Sequence, residues 1–247
     1  KNACTLQRLR DGDPALSHFY LGRATWNSFI IGKGDDLGWL GYFIGKSEYL
    51  QRLNLRYLPD GEGGHAIVGG IARSQSLRHM FIDNLSNDGF TWIMRALGSL
   101  SQLEELSIWV DNNVGPDGWS ELRTLLESGV CKLKQLRLKG NNYIGNEGLD
   151  VLSNGLRGIR SSLEVLNLSD SSIGNEGLLT LVDGLTNCTS LETLQLSRND
   201  FSSAAAGLSS LSDWLQNAPT SLKNLFLANC RISDDGLHAL AEGAANH

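Results

Sequence analysis

The stretch Leu163-Glu164-Val165-Leu166-Asn167-Leu168 decides the fold of this 247-residue chain. Its spacing, L-x-x-L-x-L, recurs in phase at seven places, with 26 to 31 residues between successive first leucines. This alternation is typical of a short strand with one buried face, and its regular return indicates a repeat protein. The copies are Leu50/Leu53/Leu55, Leu77/Met80/Ile82, Leu103/Leu106/Ile108, Leu133/Leu136/Leu138, Leu163/Leu166/Leu168, Leu191/Leu194/Leu196 and Leu222/Leu225/Leu227.

A helix is predicted after each strand. Most copies carry a polar residue, an acidic residue and a glycine before an apolar run with helical spacing, such as Leu149, Leu152 and Leu156. We expect the Asn or Asp of this step, as in Asn175-Glu176-Gly177, to cap the helix N-terminus, where an acidic neighbour also interacts favourably with the helix dipole. Each strand–helix unit can bury its apolar face only by stacking on its neighbours. The sequence therefore predicts an α/β solenoid with a parallel sheet on its concave face and helices on its convex face.

This pattern resembles the leucine-rich repeat family, specifically its ribonuclease-inhibitor-like class with repeats of about 28 residues. In that family an Asn or Cys after the strand bonds the backbone of the turn. The resemblance implies this structural role for Asn141, Asn199 and Cys230, with Asp111 and Ser171 as polar substitutes. Leu58 and Leu85 depart from the pattern, so we expect irregular turns in the first two clear repeats.

The predicted organisation is one continuous domain, with an N-terminal cap and an irregular first repeat in residues 1–49. Seven repeats with an open or truncated C-terminal end follow in residues 50–247. Asn2 to Arg10 is predicted as a capping helix. Leu16/Phe19/Leu21 and Trp26/Phe29/Ile31 both fit the strand pattern, but they lie only ten residues apart. We prefer the first as the opening strand, with Asp36 to Gly45 as its helix.

A possible nucleotide-binding motif, Gly41-Tyr42-Phe43-Ile44-Gly45-Lys46-Ser47, is one residue shorter than a phosphate-binding loop and has bulky apolar residues inside it. Its apolar residues have helical spacing, so a helix is the better interpretation. The five histidines show no metal-binding spacing, and no serine elbow or other catalytic constellation is present in the sequence. We therefore expect no enzyme activity and no cofactor.

Composition limits the classes of partner. The chain has 21 Lys and Arg against 27 Asp and Glu, a net charge of −6, which argues against nucleic acid or an anionic membrane as the main partner. The longest apolar stretch, Leu37 to Ile44, is shorter than the ~20 residues of a membrane span. The four cysteines form no C-x-x-C pair, so we predict free thiols and an intracellular, reducing compartment, either cytoplasm or organelle lumen or stroma. A secreted form is the less favoured alternative.

The binding surface is predicted on the concave face, where residues between the strand leucines point to solvent. The first four clear repeats present aromatic, basic and acidic side chains of the types found at binding hot spots, with Trp109 as the proposed anchor. The alternative for Trp109 is that neighbouring side chains cover it. The candidate protein-binding residues are Arg52, Arg56, His79, Phe81, Asp83, Glu105, Trp109, Arg137 and Lys139.

Taken with the resemblance, these features predict a non-catalytic protein–protein interaction module that binds a protein partner through the concave face. The alternative is a structural subunit that packs into a larger complex through its helical face or its open C-terminal end. Neither hypothesis involves nucleic acid or membrane insertion.

Overall fold

The computed structural model describes residues 2–22, 29–30, 37–109, 114–140, 144–217 and 221–244. The chain divides into two compact units. The first comprises Lys1–Glu121 and Val130–Lys132, and the second comprises Leu122–Gly129 and Leu133–His247. The predicted boundary between residues 49 and 50 stays a prediction.

The first unit alternates short strands with helices. Its strands are β1 (His18–Gly22), β2 (Phe29–Ile30), β3 (Arg52–Leu55), β4 (His79–Asp83) and β5 (Glu105–Trp109). Its helices are α1 (Asn2–Arg10), α2 (Gly38–Lys46), α3 (Glu62–Arg73), α4 (Asn87–Leu97) and the first half of α5 (Pro116–Glu127). The strands pair in parallel in the order β2-β1-β3-β4-β5.

The second unit repeats this alternation. Its strands are β6 (Gln135–Arg137), β7 (Val165–Asn167), β8 (Thr193–Gln195) and β9 (Asn224–Phe226), which pair in parallel in sequence order. Its helices are α6 (Gly145–Ile159), α7 (Asn175–Leu185), α8 (Ala205–Asn217) and α9 (Asp234–Ala244). In both units the prediction of an α/β repeat solenoid with parallel strands is confirmed.

The strand leucines form the core of each unit, because the parallel register places equivalent residues side by side. Leu53 pairs with Met80 and Met80 with Leu106, all almost fully buried. In the second unit Leu136, Leu166 and Leu194 form the same kind of row. Each such leucine stabilises the fold by about 1.5–3 kcal/mol relative to exposure. Only the last predicted triplet, Leu222/Leu225/Leu227, is half-buried.

The N-terminal segment follows the preferred assignment. A helix is present over the predicted residues as α1, and its capping role stays a prediction. Strand β1 buries Phe19 and Leu21 and pairs directly with β3. Phe29, from the competing stretch, lies in the two-residue strand β2 on the other side of β1. Trp26, Ile31 and Asp36 lie outside the described residues.

The stretch that resembles a phosphate-binding loop is helix α2, and its glycines serve helix packing. A Cβ atom on Gly41 would lie 1.9 Å from the Ala66 carbonyl oxygen of α3, and one on Gly70 would lie 2.0 Å from the Gly41 carbonyl oxygen. Only residues without a side chain allow this approach. The helical interpretation is confirmed, and the glycines account for the motif without a nucleotide.

The prediction that the Asn of the polar–acidic–glycine sequence caps the helix is wrong for α4 and α7. Asn175 lies inside α7, because the N-cap position belongs to Gly174, and Ser86 caps α4 by accepting a hydrogen bond from the Gly89 amide. The Asn side chains bond the next repeat instead: Asn87 Oδ1 accepts from the Gly115 amide at 2.8 Å and Asn175 Oδ1 from the Gly207 amide at 2.9 Å. Helix propensity rules consider one helix at a time and therefore miss a bond between repeats.

No helix within the described ranges has the length and apolar character needed to cross a membrane.

Candidate functional site

The sheet face of the first unit is the surface formed by the strand residues that alternate with the buried leucines. Register sets these residues in three rows across β1, β3, β4 and β5. The first row is His18, Arg52, His79 and Glu105; the second is Tyr20, Asn54, Phe81 and Ser107; the third contains Arg56, Asp83 and Trp109. Each row crosses parallel strands about 4.8 Å apart, so neighbours within it can contact one another.

An aromatic pair lies at the β4–β5 side of this face. The ring centroids of Phe81 and Trp109 are 5.2 Å apart and the rings meet edge to face at 69°. The guanidinium carbon of Arg56 lies 5.7 Å from the centroid of the Phe81 ring. Trp109 nevertheless remains 46% exposed, so its neighbours do not cover it. Edge-to-face packing fixes the ring orientations while leaving apolar area available to a partner.

Two acidic side chains hold the basic residues of the face. Glu105 Oε2 lies 3.1 Å from His79 Nδ1 and 3.5 Å from Arg52 Nη2, and Asp83 Oδ2 lies 3.4 Å from Arg56 Nε. In addition, the Ser107 hydroxyl donates to Glu105 Oε1 at 3.4 Å. These partially exposed pairs contribute little to stability, but they restrict the rotamers of the arginines.

Seven of the nine predicted protein-binding residues therefore lie together in the first unit. The other two belong to the second unit, where Arg137 on β6 is in register with Asn167 on β7 and Lys139 is exposed after the strand.

Two residues of the first unit's sheet face were missed at the sequence level. Tyr20, 38% exposed, and His18 lie on β1 beside Asn54 and Arg52. The signal was available, because the spacing rule used for the later repeats places both residues on the solvent side of Leu16/Phe19/Leu21.

The sheet face of the second unit is different in chemistry. Its central residues are small or neutral and bond mainly to each other: Asn167 Oδ1 accepts from the Ser169 amide at 2.9 Å, and Asn224 Nδ2 donates to Thr193 Oγ1 at 3.3 Å. Phe226 on β9 is its one large exposed apolar side chain among the described residues, at 46% exposure.

The turn residues implied by the family resemblance have the expected surroundings where they are described. Asn199 is buried and makes four hydrogen bonds: its Oδ1 accepts from the amides of Ser171 and Ile173, and its Nδ2 donates to the carbonyls of Leu168 and Leu196. Cys230 Sγ lies 3.2 Å from the Leu196 carbonyl oxygen. Asn141 and Asp111 lie outside the described residues, and Leu58 and Leu85 are buried apolar side chains.

The cysteines are free thiols, and three of the four are buried. Burial raises the pKa of Cys131 and of Cys188 to about 11, and it also raises the pKa of Cys230. A thiol with a raised pKa is a weak nucleophile at neutral pH. Across the described ranges, no group of three or more His, Cys, Asp and Glu side chains is arranged to hold a metal ion.

The repeat, the strand register and the turns together define the class of fold: the chain has a leucine-rich repeat fold and is similar to the ribonuclease-inhibitor-like class. The sequence model of the family described as Leucine Rich repeat matches residues 131–153, 161–182, 187–211 and 218–241. These segments lie mainly in the second unit.

Two curated proteins are similar over most of the chain. Ribonuclease inhibitor of Mus musculus is 27% identical over 76% of this chain and 47% of that protein. The protein phosphatase 1 regulatory subunit 37 homolog of Caenorhabditis briggsae is 29% identical over 75% of this chain and 21% of that protein. The chain thus spans less than half the length of either relative. Among solved structures, leiomodin-1 actin-binding site 2 matches with 15% identity and a TM-score of 0.46, over 62% of this chain and 88% of that chain.

Proposed function

We propose that the chain is a non-catalytic protein–protein interaction module whose partner binds the sheet face of the first unit. The observation that carries this proposal is the edge-to-face pair on the sheet of the half-buried Phe81 and the exposed Trp109. Trp and Arg are enriched at binding hot spots, because they offer large contact areas with directed polar groups. No cofactor is required for such a role.

The names of the relatives support an interaction role. One is an inhibitor of ribonuclease and the other is a regulatory subunit of protein phosphatase 1. Both names describe proteins that act on an enzyme. A fold by itself does not determine function, so the proposal for this chain rests on the residues of its sheet face.

The test is a binding measurement with a matched control. The full chain is used to capture its partner from the native source, and the dissociation constant of the purified pair is then measured. Replacing both Phe81→Ala and Trp109→Ala should weaken binding by about 100-fold, since two hot-spot residues are removed. The control is Phe226→Ala, which removes an equally exposed aromatic residue from the second unit and should leave affinity within about 2-fold. An unchanged dissociation constant for a folded double variant would contradict the proposal.

A second candidate is an assembly subunit that packs through its last repeat. The observation in its favour is Leu237 on α9, which is 54% exposed, together with the exposed Phe226 on β9. Light scattering distinguishes the two candidates. Concentration-dependent association that Leu237→Lys abolishes would favour assembly, whereas a monomer that binds through Trp109 would favour recognition.

The proposed site of action is a reducing intracellular compartment. The four cysteines are free and Cys4 is exposed, so an oxidising environment would promote an intermolecular disulfide through Cys4. A non-reducing gel of protein isolated from its native source with blocked thiols should show a monomer band.

A further inference from the structure

We infer that the partner contacts the first unit through a short segment that carries a carboxylate close to an apolar side chain. This inference rests on the proposed function, and it names the chemistry of the partner at that same face.

The accessible charge of the face is positive although its formal charges balance. The Arg52 side chain is 39% exposed and that of its partner Glu105 only 16%; for Arg56 and Asp83 the values are 44% and 26%. The acids thus lie deeper than the arginines that they hold. His79, which contacts the same Glu105, is also more exposed than that carboxylate, at 30%. A ligand therefore meets guanidinium and imidazole groups first.

The arginines retain donors for a second acid. The contact of Arg56 with Asp83 is through Nε at 3.4 Å, which is longer than the ~2.7–2.9 Å of a strong charge-assisted hydrogen bond. Arg52 contacts Glu105 through one terminal nitrogen at 3.5 Å. Its Nε is buried and out of reach of a ligand, so Arg56 is the better placed of the two arginines to bind a second acid. A guanidinium binds a carboxylate most strongly through two parallel N–H groups, which neither internal pair provides.

The basic and apolar contacts are close enough for one short segment. Arg56 lies 5.7 Å from the Phe81 ring, which lies 5.2 Å from the Trp109 ring. The whole path is at most about 11 Å, which an extended peptide covers in about three residues. A segment can therefore place an apolar side chain against Trp109 and a carboxylate on Arg56 at the same time.

A single-stranded nucleic acid is the competing class of ligand, because its bases can stack on Trp109 and its phosphates can bind arginine. The chain's net charge of −6 disfavours a polyanion such as nucleic acid. The carboxylate-bearing peptide is the better match, since it needs one or two local contacts and no extended basic surface.

The experiment selects random 12-residue peptides displayed on phage against the immobilised full chain. We expect the enriched peptides to carry Asp or Glu within three positions of an aromatic residue or leucine. Their synthetic versions should lose about 10-fold or more in affinity when the acids are replaced by amides, and also with Arg56→Gln or Trp109→Ala. The control is Arg231→Gln, an exposed arginine of the second unit, which should bind like the unmodified chain.

The outcomes separate the inference from the proposed function. Peptides that depend on Trp109 but carry basic or uncharged residues would overturn the inference and leave the proposed function standing. A library without any binder sensitive to Trp109→Ala would overturn both. A dT20 oligonucleotide that binds more tightly than every selected peptide, and does so through Trp109, would overturn the peptide class in favour of nucleic acid. Circular dichroism of each variant excludes unfolding as the cause.

Discussion

The two units are built by the same repeat but differ on their sheet faces. In both, parallel strands bury their leucines, and helices approach closely at glycines such as Gly70 in the first unit and Gly184 in the second. The first sheet face carries Phe81, Trp109 and ion-paired arginines, whereas β7 and β8 at the centre of the second carry small neutral residues, between Arg137 on β6 and Phe226 on β9. This difference between the two sheet faces lies in residues that the repeat leaves unconstrained.

There is a physical reason why the two units share their buried leucines but differ on their sheet faces. A leucine at a strand position is held by burial, and its loss would cost about 2–5 kcal/mol. A residue on the sheet face contributes little to stability when it is exposed, so it can change without loss of the fold. Side-chain chemistry that departs from the small neutral pattern of β7 and β8 is consequently the best indication of a binding role.

The largest effect on stability is expected at the close contact between helices α2 and α3, a kind of contact that both units contain. Gly70→Ala should lower the free energy of unfolding by at least about 3 kcal/mol, because its Cβ would lie 2.0 Å from the Gly41 carbonyl oxygen and the two helices would have to separate. Urea denaturation, with the unfolding of each variant followed by circular dichroism, measures the change.

The adjacent residue provides the control. A Cβ on Gly69 would meet only the flexible end of Arg73, at 3.2 Å, so Gly69→Ala should stabilise α3 by about 0.5–1 kcal/mol. Gly184→Ala repeats the test in the second unit, where the Cβ would lie 2.7 Å from the Ser153 Cα atom. Equal effects of Gly69→Ala and Gly70→Ala would show that the close helix approach is not a requirement of the fold.

The next effect concerns the turn position at which the units differ. Asn199→Leu should destabilise the chain by about 3 kcal/mol, since four buried backbone groups of the second unit would lose their partners. The reciprocal change, Leu85→Asn, should also destabilise, by about 2 kcal/mol, because it buries an amide where the first unit has an apolar side chain.

Thermal unfolding of both variants checks this pair, with the exposed Asn187→Leu as control. If Asn199→Leu changed the unfolding temperature no more than Asn187→Leu, the hydrogen bonds of Asn199 would contribute nothing to stability. The two kinds of turn would then be interchangeable.

Most of the fold follows from the sequence, because burial is periodic. Leu106 and Ile108 could be assigned to the core from spacing alone, and the glycines of α2 could be assigned to a helix. The roles of Asn87 and Asn175 could not, because each bonds a backbone amide that lies one repeat further along the chain. Such bonds depend on the distance between neighbouring repeats, which a local pattern does not contain.

The candidate site was predictable only in part. Spacing placed Arg56, Phe81 and Trp109 on the solvent side of their strands, but it could not give the 5.2 Å ring contact or the greater depth of the acids. Tyr20 was missed because the repeat pattern is irregular near the N-terminus, although its own strand obeys the same alternation. Relative depth depends on rotamers and neighbours, and these emerge only when the strands are packed.

The smallest effect uses one buried thiol from each unit as a reporter of pH-dependent stability. Burial raises the pKa of Cys131 in the first unit and of Cys188 in the second from 9.0 to about 11. In the unfolded chain these thiols ionise near pH 9, while the folded chain keeps them protonated until about pH 11. Folding thus binds protons in this window, so the stabilisation is complete below pH 9 and is lost as pH rises to about 11, by about 2 kcal/mol for each thiol.

Cys131→Ala and Cys188→Ala should each reduce the loss of unfolding free energy between pH 9 and pH 11, because the contribution of the substituted thiol is removed. Urea denaturation at pH 8, 9, 10 and 11 under reducing conditions measures it, and Cys4→Ala, at an exposed position, should leave the loss unchanged. Because Cys131 and Cys188 lie in different units, equal reductions would mean that both units bury their thiols to the same degree. If only Cys188→Ala reduced the loss of stability at high pH, the first unit would open to solvent before the second. If neither substitution changed that loss, the buried thiols would not be its cause.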